Sequence, residues 1–259
     1  MKHILIEQEK TLSKKTRISI GGILIDPLTM QETINLVEEY IEQKIPLHLM
    51  GVNADKINSA QKNDYLKEII NKCGIINADG ASAVMASNFL KKPLPERVAG
   101  IDLMQELVKK SEEKGYKIFL LGAKQEIVEK TAGVLTKQYP NLEIAGFRNG
   151  YFDETEWDKV AQNIKNVSPD IVFVGITSPL KEYLIEYLQD KGINSVLMGV
   201  GGSFDVISGK IPRAPQWVQN LNLEWLFRVA HEPRRLFKRY FVGNSQFLKL
   251  VLKEKNERK

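Results

Sequence analysis

The stretch DIVFVGITSPLKEYLIEYLQDKGINSVLMGV, residues 170–200, decides the fold class. It opens with the apolar run Ile171–Gly175, passes through an amphipathic segment, Leu180–Asp190, and closes with a second apolar run, Ser195–Val200. Aliphatic runs without polar alternation suit strands covered on both faces. A helix between two such strands is a βαβ unit, which makes the strands parallel. Working outward toward the N-terminus, the same alternation continues. Asp153–Asn166 reads as a helix, Leu142–Ala145 as a strand, Gln125–Gln138 as a helix and Lys117–Leu121 as a strand.

The first hundred residues follow the pattern less regularly. Residues 18–25 (ISIGGILI) read as strand or hairpin, and 29–44 as a helix with Met30, Ile34, Val37 and Ile41 on one face. A short strand at 46–52 precedes helices near 54–61 and 64–73. Ile75 and Ile76 form a strand that ends at Asn77-Ala78-Asp79-Gly80. Residues 81–90 and 100–114 are helical, with a Pro-broken loop between them. The expected class is α/β, Rossmann-like: a mainly parallel sheet with helices on both faces. No internal repeat or low-complexity linker interrupts it.

Beyond Ile211 the strand pattern stops. Pro212, Pro215 and Pro233 punctuate short helices, and 244–258 reads as a last amphipathic helix. Trp217, Trp225, Phe227, Phe237, Tyr240 and Phe241 interleave with Arg213, Arg228, Arg234, Arg235, Lys238 and Arg239. The expected organisation is an α/β body over 1–212 with a helical appendage over 213–259. Of the 37 Lys+Arg and 32 Asp+Glu residues, residues 210–259 hold 12 and 4. The tail therefore carries +8 of a formal net +5, and the body is weakly acidic. A basic, aromatic tail suits an anionic partner such as a membrane surface, or a solvated helix face.

The chain has 259 residues, 43% hydrophobic and 27% charged, as soluble globular proteins do. No apolar run reaches the length of a membrane span, and residues 1–17 lack a signal-peptide core. The single cysteine, Cys73, excludes an internal disulfide, and three scattered histidines argue against a histidine-built metal site. A reducing cytoplasm fits.

Ligands of open parallel sheets bind outside the carboxyl ends of the strands. Four such ends stand out: Gly51-Val52-Asn53, Asn77-Ala78-Asp79-Gly80, Gly175-Ile176-Thr177-Ser178-Pro179 and Gly199-Val200-Gly201-Gly202-Ser203-Phe204-Asp205. Asp79 is the best candidate base, because a carboxylate between strand and helix can accept a proton from a hydroxyl. It equally suits a helix N-cap followed by a turn glycine. Asp205 is a candidate for sugar hydroxyls or for helix initiation. The Gly199–Gly202 loop lacks both the dinucleotide and the P-loop spacing. No Asp-x-Asp pair occurs to hold a metal against a diphosphate, which leaves Arg97 and the tail arginines as candidates for that charge.

These residues resemble the WecG/TagA/CpsF glycosyltransferases. The resemblance rests on Asn53, Ala78-Asp79-Gly80, Arg97-Val98-Ala99-Gly100-Ile101-Asp102-Leu103, Ser178-Pro179 with Glu182, and Gly199–Asp205. It continues through Gly209-Lys210, Arg213-Ala214-Pro215, Leu223-Glu224-Trp225, Arg228, Glu232-Pro233 and Arg235. It implies an inverting enzyme that needs no metal or other cofactor. Such an enzyme moves a sugar, often N-acetylmannosamine, from a UDP donor to a polyprenyl-diphosphate-linked sugar in teichoic acid or other surface polysaccharide synthesis. It implies peripheral attachment to the inner membrane face, with the tail closing over the site. On this resemblance Asp79, Arg228 and Arg235 are catalytic. Asn53, Arg97, Lys181, Gly201, Asp205, Lys238 and Arg239 bind substrate.

Two positions depart from the family pattern. Gly51 stands where Thr is usual before Asn53, and Lys181 stands where Gln is usual before Glu182. Lys181 is a candidate partner for an anionic group such as a uronic carboxylate, or a plain substitute for the amide. A nucleic-acid-binding module and a nicotinamide-dependent oxidoreductase are the rival classes. The acidic body disfavours the first and the missing glycine fingerprint disfavours the second. Nucleic acid is not an expected partner. Exposed apolar tail residues leave homo-oligomerisation open.

Overall fold

A computed structural model of the chain describes residues 15–221, 223–231 and 233–257; at 220, 228, 231 and 233–240 it describes the backbone alone. It begins with a hairpin of β1 (Ile18–Ile20) and β2 (Ile23–Ile25). Both turn residues, Gly21 and Gly22, have positive φ (58° and 72°), the conformation of a two-residue hairpin turn. Helix α1 (Met30–Glu42) starts with a capping box between Thr29 and Glu32. Then come β3 (Leu47–Val52), α2 (Ala54–Ala60), α3 (Asp64–Lys72), β4 (Ile75–Ala78), α4 (Ala81–Phe89) and α5 (Gly100–Lys114). The alternation continues with β5 (Ile118–Gly122), α6 (Gln125–Gln138), β6 (Ile144–Arg148), α7 (Trp157–Val167), β7 (Ile171–Gly175), α8 (Leu180–Asp190) and β8 (Val196–Gly199). The chain ends with α9 (Ser203–Ile207), α10 (Gln216–Asn220), α11 (Glu224–His231) and α12 (Pro233–Glu257).

Strands β3 to β8 form one sheet in the order β4-β3-β8-β7-β5-β6, with every neighbouring pair parallel. The period of two along each strand divides its side chains between the faces. Ile118 and Leu120 of β5 join Val37 of α1, Leu107 of α5 and Val128 of α6 in one core. Phe119 and Leu121 join Val160 of α7 and Leu184 of α8 on the other face. A third cluster lies under the hairpin, where Ile20, Met50, Ile57 and Ile70 pack together. The fold is the expected Rossmann-like α/β class.

Two expectations need correction. The edge strand lies at Ile144–Arg148, later than Leu142–Ala145, and most of its residues are only half-buried. The last helix starts at Pro233 instead of 244 and runs for 25 residues. Proline at the first helical position removes an N–H that has no partner there anyway, so it opens the helix instead of breaking it. The second half of α12 is anchored to the body. Phe247 and Val251 are buried in the third cluster, and Glu254 Oε2 accepts from the Gly21 amide at 2.8 Å.

Candidate active site

Asp79 follows the last residue of β4, and its amide donates to the Val52 carbonyl of β3 at 2.9 Å. Its carboxylate does not cap the next helix, where Gly80 is the N-cap and makes no side-chain bond. Instead, Oδ1 accepts from the Gly100 amide at 2.8 Å. Gly100 opens α5, whose N-cap, Ala99, supplies no side-chain bond. Asp79 thus satisfies an orphan N–H of a helix that is distant in sequence. The N-cap alternative read from the sequence is replaced by this contact across space. A side-chain carbon at Gly51 would stand 3.1 Å from Asp79 Cβ, so the bare backbone of β3 lets Asp79 lie close over it.

Arg97 clamps the same turn. Its Nε donates to the Asp79 carbonyl at 2.9 Å, while the Val98 amide donates to the Ala78 carbonyl at 2.9 Å. A second nitrogen of the guanidinium reaches the appendage, where Nη2 pairs with Glu224 Oε2 of α11 at 2.8 Å. Arg97 therefore joins the turn of the candidate base to the helix that carries Arg228. Arg228 follows Glu224 by four positions in α11. Arg213 makes a second link. It pairs with Asp102 in the first turn of α5 and donates from Nη1 to Gln105 Oε1 at 3.0 Å.

A buried charge cluster lies at the same edge of the sheet. Glu182 is fully buried, and its Oε1 accepts from Lys56 Nζ at 2.7 Å and lies 3.3 Å from Lys181 Nζ. Lys56 Nζ also contacts Met50 Sδ at 2.9 Å. Two ammonium groups on one carboxylate leave an excess positive charge. Burial alone would raise the Glu182 carboxyl, yet Lys56 and Lys181 hold it far below the usual carboxylate range. Burial, reinforced by Lys56, pulls Lys181 down to about 8, opposed by Glu182 and Asp79. Burial likewise keeps nearby His48 neutral, lowering it to about 3. Lys181 fits because Gly199 has no side chain: a Cβ there would lie 2.7 Å from Lys181 Cε.

The other candidates fall into three groups. The Asn53 side chain accepts from the Lys56 amide at 3.0 Å and caps α2 at the end of β3. Gly201 turns the chain after β8 with φ of 53°, and Asp205, in the first turn of α9, pairs with Lys210 at 2.8 Å. The side chains of Arg228, Arg235, Lys238 and Arg239 lie outside the described residues. The sequence reading assigned no role to Lys56, Asp102 or Glu224, and counted Arg213 only among the tail arginines. The last three stood inside the quoted motifs, but their pairings join positions more than a hundred residues apart. Among the described residues no cluster of three or more His, Cys, Asp or Glu is arranged to hold a metal ion.

The family model described as Glycosyl transferase WecG/TagA/CpsF matches residues 18–259. A Bacillus subtilis (strain 168) protein named N-acetylglucosaminyldiphosphoundecaprenol N-acetyl-beta-D-mannosaminyltransferase is 35% identical over 223 residues, 86% of each chain. A protein of the same name from Staphylococcus aureus (strain MW2) is 34% identical over 226 residues, covering 86% of this chain and 88% of its own.

Proposed function

The chain belongs to the WecG/TagA/CpsF glycosyl transferase family, and on that footing we propose that it transfers N-acetylmannosamine, or a related hexose or hexuronic acid, from a UDP donor to a polyprenyl-diphosphate-linked N-acetylglucosamine. The observation that carries the reading is the Asp79 turn. A candidate base stands at the carboxyl edge of a parallel sheet, tied by Arg97 to a basic appendage.

The reaction is a direct displacement at the anomeric carbon. Asp79 accepts the proton of the acceptor hydroxyl as the new glycosidic bond forms on the face opposite the leaving group, which inverts the centre. UDP departs with growing negative charge. Arg228 and Arg235 offset that charge, with Lys238 and Arg239 near by in sequence, and preorganised cations of this kind act most strongly where water is excluded. Arg97, held by Glu224, orients the base turn. Asn53, Gly201 and Asp205 follow the neighbouring strands β3 and β8 and serve the sugar and nucleotide. No metal or cofactor enters these steps.

Lys181 adds a cation where the family carries an amide; it either pairs with an anionic group of the donor or, beside Glu182, simply replaces the amide. Comparing turnover of UDP-hexoses and UDP-hexuronic acids in the wild type and in Lys181→Gln reads this directly. An unchanged preference for neutral sugars in both removes the first.

The appendage brings the chemistry to the lipid. Trp217, Leu221, Leu226, Phe241 and Leu248 are exposed, and no helix of the described residues is long and apolar enough to cross a membrane. We read the appendage as lying at the inner face of the cell membrane, with apolar residues at headgroup depth and arginines on phosphates. The same surface offers a route to self-association away from the membrane. The deciding experiment is a donor panel with a short-chain lipid-linked acceptor, read by product mass. Transfer from UDP-N-acetylmannosamine is expected, and no transfer from any UDP sugar contradicts the reading.

A further inference from the structure

Two ion pairs of opposite polarity join the appendage to the loop that holds Asp79. In one, the body supplies the cation (Arg97) and the appendage the anion (Glu224). In the other, the appendage supplies Arg213 and the body Asp102. The body partners, Arg97 and Asp102, flank Gly100, the residue whose amide holds the Asp79 carboxylate. The two pairs differ in burial. Glu224 is 7% exposed, whereas the Asp102 and Arg213 side chains are 39% and 27% exposed.

We propose that Glu224 is a positioning residue, which acts through Arg97 to couple the docking of α11 to the placement of the Asp79 base. This rests on the transferase reading above. Arg97 donates from Nε to the Asp79 carbonyl and from Nη2 to Glu224. A planar guanidinium held at two of its nitrogens is fixed in orientation, which a single contact cannot do. With α11 docked, the carboxylate of Glu224 fixes Arg97, Arg97 fixes the Asp79 main chain, and the Gly100 amide fixes the carboxylate. With α11 displaced, Arg97 loses its buried anion and turns to solvent or to a bound diphosphate, and the Asp79 carbonyl loses its donor. An acceptor hydroxyl meets a correctly placed base only when the appendage is closed.

The test compares the full-length wild type with Glu224→Gln, Arg97→Gln and the double variant. Circular dichroism establishes that each is folded, and Glu224→Asp serves as the charge-keeping control. Amide hydrogen exchange over residues 97–102 needs no substrate. It should quicken at least about tenfold in Glu224→Gln, with β7 amides unchanged and slow exchange recovered in Glu224→Asp. Unchanged exchange over 97–102 overturns the coupling. In transfer assays, Glu224→Gln should lower kcat by about 10- to 100-fold, the scale of a misplaced reacting group. KM for the donor should change less, and the acid limb of the pH–rate profile should move. The double variant should be no slower than Arg97→Gln alone, whereas losses that multiply would show that Glu224 acts independently of Arg97. If the wild type transfers no sugar, the transferase reading fails, and the exchange data still decide the coupling.

Discussion

The two ends of the appendage are held to the body by different forces. At the far end, Phe247 and Val251 of α12 lie inside an apolar cluster with Ile20, Ile57 and Met50. At the near end, where Ala214, Val218 and Val229 are also buried, α11 and the segment before α10 meet the body through the ion pairs Arg97–Glu224 and Arg213–Asp102. Apolar burial is non-directional and scales with area, so the far end is a permanent anchor. Ion pairs are directional and sensitive to competing anions, so the near end is suited to dock and release. The contrast teaches that the appendage contacts the body in two ways: through apolar burial at α12 and through ion pairs beside Asp79.

Breaking the anchor should have the largest effect on stability. Phe247→Ala removes a buried ring from the third cluster and should cost about 3–5 kcal/mol of unfolding free energy, read by denaturant titration. A loss below about 1 kcal/mol would mean that the far end is not part of the core.

The buried charge of Glu182 comes next. Glu182→Gln leaves the Lys56 and Lys181 ammonium groups without their anion, and should cost about 3–5 kcal/mol at neutral pH. The pH dependence follows from the same group. The carboxyl of Glu182 titrates near 4.5 when unfolded and well below that when folded. Its stabilising contribution is therefore full above about pH 4.5 and drains as the pH falls below it. Unfolding midpoints should fall more steeply below pH 4.5 in the wild type than in Glu182→Gln. Equal slopes would mean that the carboxylate is not held by the two lysines.

The near end is weaker. Arg213→Ala removes a partly exposed pair and should cost about 1 kcal/mol or less in stability. It should still lower turnover, because the segment it holds leads into α10 and α11. Smallest of all is Lys253→Ala, which breaks the exposed pair with Glu257. It should stay within about 0.5 kcal/mol of the wild type. A larger change there would blur the contrast between buried anchor and solvated surface.

The sequence carried much of this fold because long apolar runs and amphipathic periods are local signals. The ranges expected for β7, α6 and α8 coincide with those observed. Where residues are half-exposed the signal fades: β6, with only intermediate or exposed positions, is displaced by two or three residues. Short α9, opening at a glycine-rich turn, has too few residues for a period. Pro233 was read as punctuation within short helices, and the difference is positional, since proline opens α12. In the site, the Asp79 turn and the Arg97 loop were legible as strand-end motifs. The partners of those residues were not. No local pattern states that Arg97 meets a carboxylate 127 positions later, or that Asp79 caps α5 instead of α4.

The central claim is that Asp79 is the base of a sugar transfer. The most direct measurement is single-turnover transfer by Asp79→Asn, beside wild type, from a UDP sugar to a lipid-linked acceptor, with UDP affinity measured in the same preparation. The account predicts a rate about 10²- to 10⁴-fold lower with UDP binding retained. Near-normal transfer by the variant would contradict it and move the base elsewhere.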